Sequence, residues 1–288
     1  MMQPIVTVIV PTHKRPEMLA EALASVREQT RTDIEVVVIS NGESRAESAL
    51  SRAVASRYGA HFCEVEEGNV SGARNLGNKF AHGTWVAFLD DDDIWHPEKL
   101  ETQLAAAAAT GAAMVVCHYR ELFPDGNVRA PPDNGFPKGW SIQEAITHQK
   151  WNALPSNVLV LKSVMDDVGG FDPRLKANED LDLWRRISWR YKVRRIPDIL
   201  TDRRMGHASI STQSWLCKKH EFLHCLKMSR DTPADMRWSL PWMPLWRPLL
   251  KIVLPWWVRH PRKAYHTWQR PIRAGTHAKQ NARVVERM

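Results

Sequence analysis

The sequence contains few cysteines and no cysteine pair at the spacing of a redox or zinc site. The four thiols among 288 residues are Cys63, Cys117, Cys217 and Cys225. A small secreted domain held together by disulfides needs a much denser set. We therefore expect the thiols to be reduced, as in an intracellular compartment.

The amino terminus lacks the features of a secretion signal. Its apolar run covers only residues 5–10, no basic segment precedes that run, and no small-residue cleavage site follows it. Internal repeats are also absent from the sequence. We expect a cytoplasmic protein from these features.

Acidic residues become scarce in the last quarter of the chain. Residues 217–288 contain 15 Lys and Arg against 4 Asp and Glu, so they carry a net charge of +11, whereas the other 216 residues carry −3. Such an asymmetry favours an anionic partner, either a phospholipid surface or a nucleic acid, although a solvated basic tail has the same composition.

Six of the thirteen tryptophans lie in residues 238–268, among prolines and basic residues. The prolines and charges argue against a spanning helix, whereas interfacial tryptophan with nearby cations is typical of contact with anionic lipid. We predict a C-terminal helical, basic extension at residues 213–288 that lies on the cytoplasmic face of the membrane and binds no nucleic acid. In the alternatives, these tryptophans cap the core or stack on single-stranded bases.

Short β-branched runs alternate with amphipathic stretches through the first 120 residues, which predicts βα units and a mostly parallel, doubly wound sheet with helices on both faces. The predicted strands are residues 5–10, 34–40, 61–65, 84–89, 113–117 and 156–161. The predicted helices are residues 17–28, 45–57, 72–81, 97–110 and 178–191. Residues 121–150 are rich in proline and glycine, and they predict a flap over the site.

Four consecutive aspartates, at residues 90–93, follow the predicted strand at 84–89. Ligands of doubly wound sheets bind at the carboxyl ends of the strands. Carboxylates crowded there raise one another's pKa values unless a cation compensates, and Mg²⁺ or Mn²⁺ prefers such oxygen ligands beside a diphosphate. An acidic, solvated turn is the alternative.

Five segments in a fixed order resemble the family 2 glycosyltransferases of the GT-A fold, over roughly residues 5–210. They are VIVPTHKRP at 8–16, EVVVISNG at 35–42, GARNLG at 72–77, FLDDDDIW at 88–95 and NEDLDLW at 178–184. The resemblance implies a catalytic domain at 1–212, with a nucleotide-binding half at 1–118 and an acceptor-side half at 119–212. It also implies an inverting hexosyltransferase that moves sugar from a nucleotide-diphospho-sugar to a glycan or glycolipid acceptor, in the synthesis of a cell-surface polysaccharide or glycoconjugate.

The resemblance carries roles to individual residues. Asp90 and Asp92 match the two acidic positions of the family's Asp-x-Asp motif, with Asp92 as the direct metal ligand, and Asp180 beside Glu179 matches the general base. His207 is a further candidate metal ligand. The residues implied in nucleotide binding are Pro11, Thr12, His13, Arg15, Asn41, Arg74, Asp90 and Asp91.

Two of these assignments have structural alternatives. Arg74 offers a guanidinium fork for a phosphate or sugar, but a structural ion pair suits it equally. Asp180 near the start of a helix is also explained by the helix macrodipole.

The chain departs from the family pattern at two places. Ser40 and Asn41 stand where many relatives have paired aspartates, so the carboxylate that reads the uracil imide is missing, although a UDP-sugar is still the first donor to expect. The Gln-x-x-Arg-Trp motif of processive relatives is not found, which favours single additions.

A second motif points to different chemistry. His220, Glu221 and His224 fit the HExxH pattern of zinc hydrolases, in which one helix face holds the metal. The sequence after it lacks the longer zinc-protease continuation. A zinc hydrolase therefore stays an alternative, as does a non-catalytic module that binds membrane or nucleic acid.

Overall fold

Nine strands of the described residues form one mixed sheet, and seven α-helices accompany it. The computed structural model describes residues 4–66, 68–130, 136, 138–139, 141–147, 151, 153–206 and 227. The strands are β1 (Val6–Thr12), β2 (Ile34–Asn41), β3 (His61–Val65), β4 (Trp85–Phe88), β5 (Asp93–Trp95), β6 (Met114–Leu122), β7 (Val128–Arg129), β8 (Val158–Leu161) and β9 (Val193–Arg204). The helices are α1 (Pro16–Arg27), α2 (Arg45–Arg57), α3 (Val70–Phe80), α4 (Lys99–Thr110), α5 (Ile142–Thr147), α6 (Lys162–Asp167) and α7 (Glu179–Ser188).

The strands follow the order β3, β2, β1, β4, β8, β6, β9, β5 across the sheet, and β7 pairs with β6. The first four run parallel to one another. Strand β8 is antiparallel to both of its neighbours, while β9 runs parallel to β6 and antiparallel to β5. This architecture confirms the predicted α/β fold class. The parallel half comes from the N-terminal βα units, and the second half of the chain makes the sheet mixed.

Both faces of the sheet are covered, as the side chains of β1 show. Val8 and Val10 belong to the same buried cluster as Leu19 of α1. Ile9 belongs to the opposite cluster, with Ala73 of α3. A strand buried on both faces has no polar alternation, and this explains why Thr7 is the one polar residue at positions 5–10.

Helix α3 packs so closely on β1 that one position accepts only glycine. A Cβ atom on Gly77 would lie 2.4 Å from the Cγ2 atom of Ile9. Carbon atoms do not approach so closely without a shift of the packed core. The close contact fixes α3 against the central strand of the parallel half, and α3 carries Arg74 into the site.

Local sequence signals set several helix ends. Ser44 and Glu47 form a capping box at the start of α2. The Asn69 side chain accepts two backbone N–H groups at the start of α3. Helix α4 ends at Gly111, whose φ of 66° is left-handed. These signals explain why the predicted helices of the first 120 residues are confirmed, with α2 at the predicted bounds.

The sequence pattern predicts none of β5, β7 and β9, of which β7 is a two-residue exposed strand paired with β6. Strand β5 has only three residues, and β9 contains six charged residues and Pro197. Only Ile196, Leu200 and Thr201 of β9 are buried. Strands β5 and β9 depend on backbone pairing with each other and, for β9, with β6. Their stability comes from distant partners, which an apolar pattern does not reveal.

Several predictions concern residues that the structure does not describe. The extension at 213–288 lies outside the described residues apart from Lys227, so the domain boundary near residue 212 stays a prediction. In the stretch predicted as a flap, the described part contains the end of β6, β7 and α5. None of the described helices combines the length and the apolar character that a membrane crossing needs.

Candidate active site

The ends of three neighbouring parallel strands bring the predicted site residues together. Strands β2, β1 and β4 are adjacent in the sheet. They end at Asn41, Thr12 and Phe88, and the aspartate run begins two residues after Phe88. The carboxyl ends of parallel strands share one edge, so the loops after β1, β2 and β4 meet there.

Three carboxylates at this edge form a group that suits a metal ion. One oxygen atom from each of Asp90, Asp92 and Asp93 lies within 4.8 Å of the others. The set contains only hard oxygen ligands, so its chemistry fits Mg²⁺ or Mn²⁺ better than zinc. Burial raises the pKa of Asp93 well above its usual range, and the charges of Asp90 and Asp92 raise it further. A bound cation would reverse that penalty.

Asp93 is the member of this group to which sequence reasoning gave no role. It begins β5 and is 5% exposed. In the sequence, only its place in the aspartate run marks Asp93 as a candidate. The pairing of β5 with β9 is what brings its carboxylate into the group.

Asp91 holds the loop after β1 instead of joining the carboxylate group. Its Oδ2 atom accepts the Thr12 hydroxyl at 2.8 Å and the His13 backbone N–H at 3.2 Å. Its Oδ1 atom accepts from Arg15 at 3.3 Å. Burial raises the pKa of Asp91 to about 7, and the charge of Asp92 adds to this shift. The predicted nucleotide-binding loop is thus tied to the aspartate turn.

Arg15 links the same two segments more strongly. Its Nη1 atom lies 2.6 Å from the Asp92 Oδ2 atom. The side chain therefore stands beside the predicted metal ligand. Its predicted contact with a phosphate stays a prediction, and this position is compatible with it.

His13 and Asn41 meet beside these loops, and Pro11 lies buried inside β1. The His13 Nδ1 atom is 2.8 Å from the Asn41 backbone oxygen, an acceptor, so this contact requires the proton on Nδ1. The Asn41 Oδ1 atom accepts the Asn69 backbone N–H at 2.8 Å. The structure brings these predicted base contacts together, although their contact with a nucleoside is not tested.

Glu179 and Asp180 begin α7 and approach the carboxylate group through Arg74. Arg74 Nη1 donates to Glu179 Oε1 at 3.1 Å, and Arg74 Nη2 donates to Asp90 Oδ1 at 2.7 Å. The ion-pair alternative weighed for Arg74 is therefore present. Asp180 Oδ1 lies 2.7 Å from the Leu181 backbone nitrogen, a contact at the first turn of the helix.

The remaining predicted ligands lie beyond the described residues. His207 is one of them, and so are His220, Glu221 and His224 of the HExxH pattern. Neither the third metal ligand nor the zinc-hydrolase alternative is tested by the structure.

Comparison with known families and relatives places these residues in a wider group. Residues 7–169 match the family described as Glycosyl transferase family 2. Glycosyltransferase AglE of Haloferax volcanii is 28% identical over 189 residues, covering 64% of this chain and 62% of the relative. The putative teichuronic acid biosynthesis glycosyltransferase TuaG of Bacillus subtilis is 25% identical over 228 residues, covering 75% of this chain and 85% of the relative. The chain spans 62% of the length of AglE. It spans 30% of an uncharacterised glycosyltransferase from Rickettsia felis and 26% of one from Rickettsia bellii.

Solved structures share the fold. S. aureus TarS 1–349 in complex with UDP-GlcNAc has a TM-score of 0.65 and 17% identity, over 82% of this chain and 69% of that one. The mannosyltransferase PcManGT from Pyrobaculum calidifontis, in complex with GDP-Man and Mn²⁺, has a TM-score of 0.59 and 19% identity, over 93% of this chain and 83% of that one. At these identities the likeness establishes the GT-A architecture.

Proposed function

The chain belongs to Glycosyl transferase family 2, and on that premise we propose that it transfers a hexose from a nucleotide-diphospho-sugar to an acceptor hydroxyl. The proposed acceptor is a glycan or glycolipid of a cell-surface polysaccharide or glycoconjugate. The relative TuaG, a putative teichuronic acid biosynthesis glycosyltransferase, supports this setting.

One observation carries the proposal. A group of three carboxylates within 4.8 Å stands at the carboxyl edge of the parallel strands, and Arg74 connects it to the start of α7. A sugar transfer needs one region that receives a diphosphate and another that accepts a proton, on opposite sides of the sugar. Acidic groups lie at both ends of the Arg74 bridge: the carboxylate group is proposed for the diphosphate side, and the start of α7 is proposed for the proton-accepting side.

The proposed cofactor is Mn²⁺ or Mg²⁺, held by Asp90, Asp92 and Asp93 with Asp92 as the direct ligand. Bound there, the ion would stabilise the negative charge of the departing nucleoside diphosphate as a Lewis acid. Arg15 is the proposed ligand of a donor phosphate, and its ion pair with Asp92 supports this role.

The proposed donor is a UDP-sugar first and a GDP-sugar second. The TarS complex contains UDP-GlcNAc and the PcManGT complex contains GDP-Man. Asn41 replaces the carboxylate that reads uracil in many relatives. No carboxylate at this position therefore restricts the nucleotide to uridine. Thr12 and His13 complete the proposed nucleoside contacts.

Asp180 is the proposed general base. It would accept the proton of the acceptor hydroxyl as that oxygen attacks the anomeric carbon opposite the diphosphate, which inverts the configuration at that carbon. The ion pair between Glu179 and Arg74 engages the Glu179 carboxylate, which favours Asp180 over Glu179 for this role.

The basic extension at 213–288 is the proposed membrane contact, on the cytoplasmic face. Its support is the charge of +11 over residues 217–288 and the cluster of six tryptophans. Together they supply electrostatic attraction to anionic lipid and burial of aromatic rings at the interface.

The test of the proposed function is a melting-temperature screen followed by turnover. UDP, GDP and CDP are added with Mn²⁺, and uridine and guanosine serve as controls without phosphate. A diphosphate that binds the native state should raise the melting temperature by mass action. Hydrolysis of UDP-GlcNAc and GDP-mannose is then measured. If no diphosphate raises the melting temperature and neither donor is consumed, the proposed function is wrong.

A further inference from the structure

Arg74 occupies the centre of the candidate site and is almost completely buried. Its exposed fraction is 3%. One terminal nitrogen is engaged by Asp90 at 2.7 Å and the other by Glu179 at 3.1 Å. A single guanidinium therefore joins the carboxylate group at the sheet edge to the first residue of α7, and α7 also carries Asp180.

We propose that Arg74 is a positioning residue that fixes Asp90 relative to Asp180 by holding both Asp90 and Glu179, and that it does not bind the donor phosphates. The inference rests on the proposed function, because it assigns a role within the same site. In this role, the rigid, planar guanidinium of Arg74 sets the distance between the carboxylate group that would hold the metal and helix α7, which carries the proposed base.

The Arg74 side chain is itself held in place by packing. Its Cζ atom lies 5.3 Å from the centroid of the Phe171 ring. That ring packs edge-on against Phe88, the last residue of β4, with centroids 5.2 Å apart, and also against Trp184 of α7. Arginine over an aromatic face adds cation–π attraction to the ion pairs. The guanidinium plane is therefore restricted by groups from both sides of the site.

A neighbouring side chain fixes Phe171 in turn. Asn75 Nδ2 donates to the Phe171 backbone oxygen at 2.8 Å, and Asn75 Oδ1 accepts the Phe171 backbone N–H at 2.8 Å. Arg74 and Asn75 are consecutive residues of α3. The same helix thus places the guanidinium and the ring beneath it.

The charge of Arg74 is already balanced by acidic groups. Burial by itself would lower the pKa of Arg74, but the carboxylates of Asp90 and Glu179 outweigh burial and raise it, with a further contribution from Asp180. A phosphate at Arg74 would add a third anionic group beside two carboxylates that already balance its charge, and like charges repel one another. It would also have to reach a side chain that is only 3% exposed.

Lysine and glutamine variants separate positioning from phosphate binding. Arg74→Lys keeps the positive charge, but one ammonium group on a flexible stem lacks the planar fork that bridges two carboxylates. Arg74→Gln removes both charge and fork. If Arg74 attracted phosphate by its charge, lysine should largely restore function, whereas a positioning role predicts that it does not.

The experiment compares the full-length parent with Arg74→Lys, Arg74→Gln, Glu179→Gln and the double variant Arg74→Gln/Glu179→Gln. Arg52→Gln is the matched control, because Arg52 forms an exposed ion pair with Glu64 on the surface. Two quantities are measured. The dissociation constant of UDP, or of GDP if the parent prefers it, is determined in chelator without metal, and single-turnover sugar transfer is determined with Mn²⁺.

We expect metal-free nucleotide affinity to stay within about twofold of the parent in both Arg74 variants. Transfer should fall about 10²-fold in both, because displacement of a reacting group by roughly 1 Å costs that much. Glu179→Gln should lose less transfer activity than the Arg74 variants. The double variant should transfer sugar no more slowly than Arg74→Gln, because both changes remove the same ion pair. Arg52→Gln should match the parent.

Three outcomes would overturn the inference. Weakening of metal-free UDP binding by tenfold or more in Arg74→Gln, restored in Arg74→Lys, would make Arg74 a phosphate ligand. Parental transfer in both Arg74 variants would remove any role in the site. Multiplying losses in the double variant would show that Arg74 and Glu179 act separately.

Melting temperatures of all variants exclude a folding defect as the cause of lost transfer. If Arg74→Gln does not fold, Arg74→Lys and Glu179→Gln carry the same comparison, because Arg74→Lys keeps the buried positive charge. A parent that binds no diphosphate and consumes no nucleotide sugar contradicts the proposed function. A parent that does both, with Arg74 variants equal to it, contradicts this inference alone.

Discussion

At the scale of single residues, Asp92 is the point at which the proposed metal chemistry can be tested directly. Asp92→Ala should reduce donor turnover by about 10²-fold or more, because charge stabilisation at the leaving group is lost. The protein should stay folded, since the Asp92 side chain is 19% exposed and its ion pair is with Arg15, which is itself 29% exposed. Turnover is measured over a Mn²⁺ titration and in excess chelator.

Asp125→Ala is the control for this measurement, because Asp125 lies in an exposed turn with Asn127. Full activity of Asp92→Ala in excess chelator would contradict the metal assignment.

Asp180→Asn tests the proposed base. The substitution keeps size and hydrogen bonding but removes the proton acceptor, so transfer should slow by about 10² to 10⁴-fold. Donor and metal binding should be nearly unchanged. Nucleotide-sugar affinity, melting temperature and single-turnover transfer are measured on the same preparations.

Asp166→Asn is the matched change outside the site, in a half-exposed pair with Lys162. If Asp180→Asn instead lowers the melting temperature with little loss of transfer, the carboxylate caps the helix only. Glu179 and Asp182 would then be the next candidates for the base.

Lys99 is a buried lysine that the proposed reaction does not use. Its exposed fraction is 0%, its ammonium group lies 3.9 Å from the centroid of the Trp95 ring, and it donates to Gln103. Burial lowers the pKa of Lys99 from 10.5 to about 8. Between these two pH values the unfolded chain binds more protons than the native state, so the stability of the parent should rise with pH in this window.

Lys99→Met should therefore be more stable than the parent at pH 7 by about 2 kcal/mol, after allowance for the lost contacts with Trp95 and Gln103. The gain should shrink as pH rises from 8 to 10.5, because the parent loses its buried charge there. Urea unfolding at pH 7 and pH 10 measures the difference. An equal gain at both pH values would show that Lys99 does not titrate in this window.

At the scale of elements, helix α7 is held by acidic and basic groups from three parts of the chain. Asp182 is fully buried and pairs with Arg185 and Arg186 of the same helix. Lys227 lies 2.6 Å from Asp182 and 3.1 Å from Asp172. The cations of Arg186 and Lys227 outweigh burial and lower the pKa of Asp182. A residue after the predicted domain boundary therefore helps to hold the helix that carries Asp180.

Two truncations test this contact. A chain ending at residue 212 loses Lys227, whereas a chain ending at residue 231 keeps it. We expect the shorter chain to be less stable by about 2 kcal/mol, below the usual cost of breaking a buried pair because two arginines stay with Asp182. Thermal and urea unfolding are compared with those of the longer chain carrying Lys227→Met. Equal stability of the three proteins would place the end of the catalytic domain at residue 212.

At the scale of the whole molecule, charge asymmetry predicts where the protein binds in the cell. Truncation after residue 231 should abolish sedimentation with anionic vesicles and leave hydrolysis of the donor measurable. The physical reason is loss of the basic, tryptophan-rich segment that supplies attraction and interfacial burial. Sedimentation is measured at low and high salt, with neutral vesicles and an oligonucleotide as controls.

Membrane binding by the truncated protein at the same salt would show that the extension is not the anchor. Binding of the full chain to the oligonucleotide instead of to vesicles would favour the nucleic-acid alternative.

Much of the parallel half could be predicted from the sequence because its signals are local. An apolar run interrupted only by Thr7 predicted β1, and a capping box accompanied α2 at the predicted bounds. The aspartate run directly after an apolar strand located the carboxylate group. In each case the determining interactions lie within a few residues of one another along the chain.

Tertiary structure alone decided which of the site residues contact one another. The four aspartates look alike in sequence, but pairing of β5 with β9 turns Asp93 into the carboxylate group, and contacts with the loop after β1 turn Asp91 away from it. Arg74 meets Glu179 across 105 positions of sequence. The sequence by itself determined which residue types stand at the ends of the strands. Which atoms meet there depended on strand pairings and ion pairs between distant segments, and no local pattern encodes those.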